Sequence, residues 1–243
     1  MFGFLRHSLP EDFFQGAHDI HCHLLPGVDD GFPSAEKSLA ALKKLEAYGV
    51  KKMILTPHFL SEYQNNNREN IMAEFEAFKK EAAEACQIEL RLAGEYMLDR
   101  QFPERHEEGF LTLDKAGTHV LCETSYLMYE QNYTNMLYDI MCEDLQPVIA
   151  HPERYEYAGG DVYYRWKDKS YKFQLNLLSL AGAYGGPAYE KARFLLKEGM
   201  YDYIGSDMHG LDNYRRFLPE IRLKTKEIDA IAQLLENNKK LFD

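Results

Sequence analysis

Residues 17–31 read AHDIHCHLLPGVDDG, a short strand-like segment that ends in two histidines and a Pro-Gly turn. His21 and His23 are two positions apart, so in an extended strand their side chains point to one side while Cys22 points to the other. Two imidazoles on the same side can bind one metal ion, and Asp30 in the following loop can supply an oxygen ligand. This stretch therefore predicts a metal site at the carboxyl end of the first strand.

The same arrangement, a strand followed by a metal-binding side chain, returns along the chain. Further strands are predicted at about 52–56, 88–93, 119–122, 147–150, 171–177 and 201–205. The side chains at their ends are His58, Glu95, Glu123, His151, Asn176, and the pair Asp207 and His209. Each residue alone is weak evidence, but six of the seven strand ends carry a metal-capable side chain. The ordered series therefore predicts a metal centre.

Helices are predicted between the strands, at about 34–49, 68–85, 135–144, 187–199 and 223–239. Strands that alternate with helices are parallel and are joined by helical crossovers. In a barrel the carboxyl ends of such strands converge on one face, whereas an open doubly wound sheet spreads them along a line. The convergent ligands therefore favour an α/β barrel. The chain contains no Ser/Gly-rich linker, so we expect a single domain.

Composition excludes several classes of protein. The 243 residues carry a formal net charge of −11, which argues against a nucleic-acid or anionic-membrane partner, because both bind basic surfaces. No apolar run is long enough to span a membrane, and residues 1–14 do not resemble a signal peptide. The cysteines form no CxxC pair, and Cys86, Cys122 and Cys142 are predicted to be free and buried. We therefore expect a cytoplasmic protein.

Other catalytic motifs are missing from the sequence. No cysteine is followed six positions later by arginine, and there is no P-loop, no GxSxG elbow and no GxGxxG after the first strand. A lone histidine is more often a hydrogen-bonded structural residue than a ligand. We apply that interpretation to His7, His18, His106 and His119. The seventeen tyrosines are expected to pack over the barrel, with a protein-facing surface or autophosphorylation as alternatives.

The ordered motifs resemble those of the polymerase-and-histidinol-phosphatase (PHP) superfamily. Within it, DIHCHLLPGVDDG at 19–31 and HPERY at 151–155 resemble the manganese-dependent protein-tyrosine phosphatases of bacterial capsule and exopolysaccharide loci, the CpsB/CapC/YwqE type. The resemblance runs from about Ala17 to the C-terminus. It implies a PHP-type phosphatase domain over 17–243, folded as a distorted (β/α)7 barrel, and an N-terminal extension over 1–16.

The resemblance also implies three divalent ions, of which Mn²⁺ is the first expectation and Fe²⁺, Zn²⁺ or Mg²⁺ are alternatives. It assigns nine ligands as follows: His21 and His23 at the first ion with Asp207 close by, Glu123 and His151 at the second, Asp30, His58 and His209 at the third, and Glu95 between the first and second. Arg154 of HPERY matches a phosphate-binding arginine. The second such arginine falls where this chain departs from the pattern, so both Arg215 and Arg216 are candidates.

Family members dephosphorylate the tyrosine-rich tail of a bacterial tyrosine kinase that controls polysaccharide assembly, and the resemblance implies that partner here. A homo-oligomer is compatible with it. Charge also favours a phosphate ligand, since three divalent ions outweigh the four carboxylates of the ligand set. One alternative is another PHP hydrolase, such as a histidinol-phosphate phosphatase. A second is a non-catalytic regulatory module that retains the fold.

Overall fold

The computed structural model describes residues 6–128 and 132–242, and every strand ladder in it is parallel. Its strands are β1 (His18–Cys22), β2 (Lys52–Leu55), β3 (His58–Phe59), β4 (Glu89–Leu92), β5 (Glu95–Met97), β6 (His119–Glu123), β7 (Gln146–Ala150), β8 (Lys172–Asn176) and β9 (Tyr203–Gly205). Its α-helices are α1 (Ala35–Ala47), α2 (Arg68–Ala85), α3 (Phe102–Glu108), α4 (Tyr133–Cys142), α5 (Gly160–Asp168), α6 (Gly186–Lys197), α7 (Leu211–Phe217) and α8 (Thr225–Phe242). The predicted alternation of parallel strands and helices is confirmed.

Two strands are interrupted, so the nine segments form seven strands, and two of the seven are composite. β2 continues into β3 after Thr56 and Pro57, and β4 continues into β5 after Ala93 and Gly94. Backbone bonds run across the breaks, from Ala93 N to the oxygen of Leu55 at 2.9 Å and from Glu95 N to that of Pro57 at 3.1 Å. Pro57 has no N–H to donate to a ladder, which explains the break in its strand.

Closure of the sheet turns these seven strands into a barrel. The ladders run β1-β2-β4 and β3-β5-β6-β7-β8-β9. The segment after β9 returns to β1, because Asp207 N donates to the oxygen of His21 at 2.7 Å and His23 N donates to that of Met208 at 3.0 Å. The predicted distorted (β/α)7 barrel in one domain is therefore confirmed.

Apolar side chains from the strands fill the interior of the barrel. Ile20, Ile54, Leu121 and Val148 are fully buried there, together with Phe242 at the end of α8. The Phe242 ring lies beneath the amino-terminal ends of the first strands, where the His18 ring approaches it edge-on at 5.4 Å. The barrel thus has an apolar floor, and its opposite end is left for chemistry.

Most predicted helices are confirmed, with boundaries shifted by a few residues. Ser34 caps α1 as predicted, since its hydroxyl accepts a bond from Lys37 N at 3.4 Å, and α2 covers the predicted range. Helices α3, α5 and α7, which have seven, nine and seven residues, were not predicted. Segments of about two turns are too short to show a helical repeat of apolar residues.

The described part of the predicted extension lies against the barrel. His7 pairs with Leu223 in an antiparallel bridge, and Gly16 N donates to the oxygen of Gly49 at 2.8 Å; residues 1–5 lie outside the described residues. All four cysteines are free, but Cys142 is exposed, so its predicted burial was wrong. Its position on the outer face of α4, rather than the apolar character of its neighbours, decides its exposure. Of the helices in 6–128 and 132–242, none has the length and apolar character of a membrane span.

Candidate metal centre

The structure brings all nine predicted ligands together at the carboxyl-terminal mouth of the barrel. Seven of them are buried, whereas Asp30 is exposed and His209 is partly exposed. The composite strands produce this convergence, since the β3–β5 register places His58 beside Glu95. The donor atoms fall into three overlapping groups: His21, Glu95, His151 and Asp207; His58, Glu95 and Glu123; and His23, Asp30, His58 and His209.

Glu95 lies at the centre of the cluster. Its Oε2 is 3.2 Å from Nε2 of both His21 and His23 and 3.1 Å from Nδ1 of His58, while its Oε1 is 3.0 Å from Nε2 of His151. The two nitrogens of His21 and His23 are 3.3 Å apart. Donors that bind one ion at about 2.1 Å in tetrahedral geometry are separated by roughly 3.4 Å. These spacings therefore fit atoms that surround shared ions.

Glu123 and Asp30, two of the other three carboxylates, extend the cluster in opposite directions. Glu123 Oε1 lies 2.9 Å from His58 Nδ1, deep in the mouth. Asp30 Oδ1 lies 3.4 Å from Nε2 of both His58 and His209, at the solvent-facing edge. His58 is consequently shared between a buried and an outer group. The resemblance had placed Glu123 with His151, whereas the distances place Glu123 with His58, because His58 Nδ1 faces Glu95 and Glu123 across adjacent strands.

Several buried atoms of the cluster have no hydrogen-bond partner among the described residues. They are His58 Nδ1, Glu95 Oε2, Glu123 Oε1, His151 Nδ1 and Asp207 Oδ1. Each buried polar atom left without a partner costs about 1–3 kcal/mol. His58, Glu95 and Glu123 belong to one donor group and His151 and Asp207 to another that also contains Glu95, so cations in these two groups would be partners for the unpaired atoms. The donor set, imidazole nitrogen and carboxylate oxygen, suits Mn²⁺, Fe²⁺ or Zn²⁺.

The ionisation of the cluster follows from its density of opposite charges. Burial works against ionisation of Glu95, but the His21 and His58 imidazoles hold its pKa well below the ordinary value. Burial and the neighbouring His23 work against protonation of His58, yet Glu123 and Glu95 raise its pKa to about 9. Without a bound cation the carboxylates therefore keep protons on the imidazoles, and a metal ion must displace those protons.

Two residues that the sequence analysis missed orient the first two imidazoles. Asp29 Oδ2 lies 2.8 Å from His23 Nδ1 and also accepts the backbone N–H of His58 at 3.1 Å. Gln174 Oε1 lies 2.8 Å from His21 Nδ1. Such contacts hold the proton on Nδ1 of each imidazole, so that the lone pair of Nε2 is available to bind a metal ion. The only signals in the sequence were the adjacent acidic pair at 29–30 and a glutamine inside a buried strand.

Backbone strain coincides with the mouth. Four non-glycine residues in the described chain have positive φ, and two of them, His151 at 31° and Asp207 at 49°, are predicted ligands at strand ends. Residues other than glycine rarely adopt this left-handed backbone region, and such strain concentrates at functional sites. At both positions the turn directs the side chain back over the end of the barrel.

Arg154 is the arginine that the structure joins to the cluster. It follows β7 in the 3₁₀ turn Pro152–Arg154, and its Nη1 donates to Asp207 Oδ2 at 2.6 Å. The preceding Glu153 points inward, where it accepts bonds from Asn176 N at 2.9 Å and Tyr201 Oη at 2.9 Å. The buried Glu153 carboxylate thus anchors the turn that presents Arg154. Burial raises the pKa of Glu153.

The structure does not bring the other two candidate arginines to the cluster. Arg215 Nη1 lies 3.3 Å from Asp212 Oδ1, and its side chain is 59% exposed. The Arg216 guanidinium lies 5.0 Å from the ring of Phe217. Both contacts are local to α7, which begins at Leu211, one residue after Gly210. His209 joins the cluster. The contacts described for the two arginines that follow it are with other residues.

The histidines interpreted as structural lie elsewhere. His18 packs against Phe242, His106 Nε2 lies 2.9 Å from Glu143, and His119 Nδ1 lies 3.5 Å from Asp114 Oδ2. Cys22 Sγ donates to the oxygen of Ile54 at 3.4 Å, on the side of the strand away from the imidazoles. Strand parity therefore predicted correctly which side chains of β1 face the cluster.

Comparison with known proteins places this geometry in a family. A family model described as capsular polysaccharide synthesis, CpsB/CapC, matches residues 17–236. The chain is 29% identical to tyrosine-protein phosphatase CpsB of Streptococcus pneumoniae over 206 residues, which cover 80% of this chain and 84% of that protein. It is 28% identical to tyrosine-protein phosphatase YwqE of Bacillus subtilis over 206 residues, covering 79% and 77%.

Solved structures show the same fold. A structure from work on YwqE of Bacillus subtilis and CpsB of Streptococcus pneumoniae, described there as metal-dependent tyrosine phosphatases, matches with a TM-score of 0.77 at 22% identity over 92% of this chain and 93% of that one. A phosphotriesterase homology protein of Escherichia coli, solved with phosphate in its active site, matches with a TM-score of 0.54 at 12% identity over 94% and 99%. Because the family model spans most of the sequence, the chain belongs to the CpsB/CapC family of capsular polysaccharide synthesis proteins.

Proposed function

We propose that this protein is a metal-dependent phosphatase that hydrolyses phosphotyrosine in proteins. The observation that carries the proposal is the buried set of unpartnered donors around Glu95, with the Arg154 guanidinium beside it. Divalent cations and an arginine together form an electropositive pocket, which suits a phosphate dianion even in a protein of net charge −11. The relatives named as tyrosine-protein phosphatases supply the choice of substrate.

The nine clustered residues would hold the ions: His21, His23, Asp30, His58, Glu95, Glu123, His151, Asp207 and His209. Three overlapping donor groups support three ions, with Mn²⁺ as our first expectation. Bound divalent ions supply a hydroxide at neutral pH and offset the charge of the phosphoryl group. Among the chain's own residues, Glu95 would be a ligand of the ions, and Asp29 and Gln174 would hold the imidazoles of His23 and His21 in their orientation.

Arg154 would bind the non-bridging oxygens of the phosphate. One of its N–H groups is held by Asp207, and a guanidinium has five N–H donors, so others stay available for a phosphate. The charge of Arg154 would also stabilise the phosphoryl oxygens as the bond to the leaving group breaks. A tyrosine side chain leaves as a stabilised phenolate, so this reaction places little demand on a general acid. The partner that we propose is the tyrosine-phosphorylated tail of a bacterial kinase.

Hydrolysis of a phosphotyrosine peptide, before and after chelation, tests the proposal. We expect activity with Mn²⁺, loss of activity after complete metal removal, and recovery when Mn²⁺ is returned. Full activity in the metal-free protein would overturn the mechanism. Comparing the peptide with histidinol phosphate and with a generic aryl phosphate separates a protein-tyrosine phosphatase from a small-molecule phosphatase, and no turnover on any of them would favour a non-catalytic module.

A further inference from the structure

Two tyrosine rings from different loops flank the Arg154 guanidinium. The Cζ atom of Arg154 lies 4.4 Å from the ring centroid of Tyr126 and 4.2 Å from that of Tyr184. Tyr126 follows β6, and Tyr184 follows the 3₁₀ turn Leu177–Ala181. We call these two residues the tyrosine pair. Both rings are partly buried, so the cation contacts them in a poorly hydrated environment, where cation–π attraction is strongest.

Each member of the tyrosine pair is also tied to the metal cluster by its hydroxyl. Tyr126 Oη donates to Glu123 Oε2 at 3.3 Å. Tyr184 Oη accepts from Asn176 Nδ2 at 3.0 Å, and the same nitrogen lies 2.7 Å from Asp207 Oδ2. The rings therefore keep a set position relative to Glu123 and Asp207, and they transmit that position to Arg154. Packing over the barrel alone would not require either of these hydrogen bonds.

Stacking suits an arginine that must bind a second anion. Contact with an aromatic face uses the π-surface of the guanidinium and leaves the N–H donors in its plane free. Since Nη1 is engaged with Asp207, the remaining donors are the ones a phosphate can use. A side chain already held in one orientation loses less conformational freedom when it binds, and this strengthens binding without adding a contact.

We infer that Tyr126 and Tyr184 are positioning residues, which hold Arg154 in the orientation that binds the substrate phosphate. The inference rests on the proposed phosphatase function. It assigns to the tyrosine pair an effect on phosphate affinity that passes through Arg154, with no contact between either tyrosine and the ions. The aromatic faces, more than the hydroxyls, supply this effect.

Leucine and phenylalanine variants of the full-length, Mn²⁺-loaded protein test the inference. Tyr126→Leu and Tyr184→Leu remove the ring, whereas Tyr126→Phe and Tyr184→Phe keep it. We expect each leucine variant to raise both the KM for a phosphotyrosine peptide and the inhibition constant of inorganic phosphate about tenfold. The phenylalanine variants should stay within about threefold of the wild type. Tyr138→Leu is the matched control, because Tyr138 is 65% exposed on α4.

Metal content and the thermal midpoint are measured for every variant, so that loss of ions or of the fold is recognised. A double-mutant cycle with Arg154→Met then isolates the route of the effect. If the tyrosine pair acts through Arg154, the leucine substitutions change phosphate inhibition less than twofold in the Arg154→Met background. Equal effects in both backgrounds, or leucine variants with wild-type constants, would overturn the inference. A wild-type protein that hydrolyses no aryl phosphate would instead overturn the proposed function.

Discussion

The two ends of the barrel are built from the same strands and follow opposite rules. At the floor, Phe242 is fully buried, Lys52 Nζ and Arg91 Cζ lie 4.8 and 5.0 Å from its ring, and Arg91 donates to its carbonyl at 2.8 Å. At the mouth, buried carboxylates and imidazoles face one another with several atoms unpartnered. The two cations named at the floor find partners within the chain, whereas several buried atoms at the mouth lie where a cation could bind them.

The difference indicates that stability and function are located at opposite ends of each strand. The amino-terminal ends and the interior lower the free energy of the folded state, and the carboxyl-terminal ends hold chemical groups at some cost to it. Substitutions at the floor should therefore change the free energy of unfolding and leave the metal site intact. Substitutions at the mouth should do the reverse, and the following measurements test that separation.

Glu95→Gln should have the largest effect, because Glu95 contacts four imidazoles of the cluster. Loss of a contact outside the ligand shell typically costs 10–100-fold, so loss of this central ligand should lower kcat/KM by at least about 1,000-fold. Because Glu95 also pairs with protonated imidazoles in the metal-free protein, the thermal midpoint of that form is measured beside activity to separate loss of these ion pairs from loss of metal. Activity assays, metal analysis and calorimetry measure these effects, with the exposed Glu143→Gln as control. Activity near that of the wild type would remove Glu95 from the site.

Phe242→Ala tests the floor. Removing a fully buried phenylalanine should lower the free energy of unfolding by about 3–5 kcal/mol, measured by denaturant titration. Metal affinity of the folded fraction should match that of the wild type. A variant that keeps its stability but loses metal would show that the floor affects the metal site, which contradicts the separation of the two ends.

Arg154→Met should lower kcat/KM for a phosphotyrosine peptide by about 10–100-fold, since a hydrogen bond to a charged group is worth about 1.5–3 kcal/mol. Arg215→Ala and Arg216→Ala are the matched controls, and they should stay within a few-fold of the wild type because the contacts described for them are with Asp212 and Phe217 of α7. Steady-state kinetics with the same peptide decide. A larger loss in Arg215→Ala than in Arg154→Met would assign the phosphate clamp to α7.

Asp29→Asn should weaken metal binding by about 10–100-fold, the usual effect of removing a group that orients a ligand. Asp30→Asn removes the adjacent carboxylate, which is a proposed ligand, and shows how the loss of a ligand compares with the loss of an orienting group; the exposed Glu143→Gln is the control. Titration with Mn²⁺, followed by calorimetry, gives both affinities. If Asp29→Asn bound Mn²⁺ as tightly as the wild type, the contact with His23 would have no role in the site.

The smallest effect expected is on pH dependence. The raised pKa of His58, about 9 against an ordinary 6.5, means that its proton stabilises the metal-free protein fully below about pH 6.5. That stabilisation is lost as the pH rises through about 9. The same proton competes with a cation, so Mn²⁺ should bind more tightly as the pH rises from 7 to 9, with proton release. Calorimetry in buffers of different ionisation enthalpy measures that release, and binding without it would contradict the assignment.

Much of the site could be predicted because strand ends carry local signals. The parity of His21, Cys22 and His23 determines which of these side chains face the cluster, whatever the rest of the fold does. Strand breaks at 56–57 and 93–94 were not predicted, since they matter only once strands curve into a barrel. The sequence could not show that Asp29 orients His23 while Asp30 lies among the proposed ligands. Adjacent carboxylates differ only in the residues that the fold places near them.

Other predictions remain open. The cytoplasmic location, the kinase partner, the homo-oligomer and the identity of the ions stay predictions. Some tyrosines pack as predicted, and two others make a contact that neither the packing interpretation nor its alternatives predicted. Tyr155 and Tyr163 are buried in the core as expected, whereas Tyr126 and Tyr184 contact Arg154.

The succession of strands and helices, the barrel that they favour, the ligands at the strand ends and Asp30 in the first loop follow from the sequence, because they depend on periodicity and on order along the chain. The fold determines which ligand atoms are neighbours, that Arg154 contacts Asp207, and that Tyr126 and Tyr184 contact Arg154. The physical reason is that these contacts join residues far apart in sequence: Arg154 and Asp207 are 53 positions apart and meet at 2.6 Å. The parallel order β7-β8-β9 brings the ends of their strands to the same mouth.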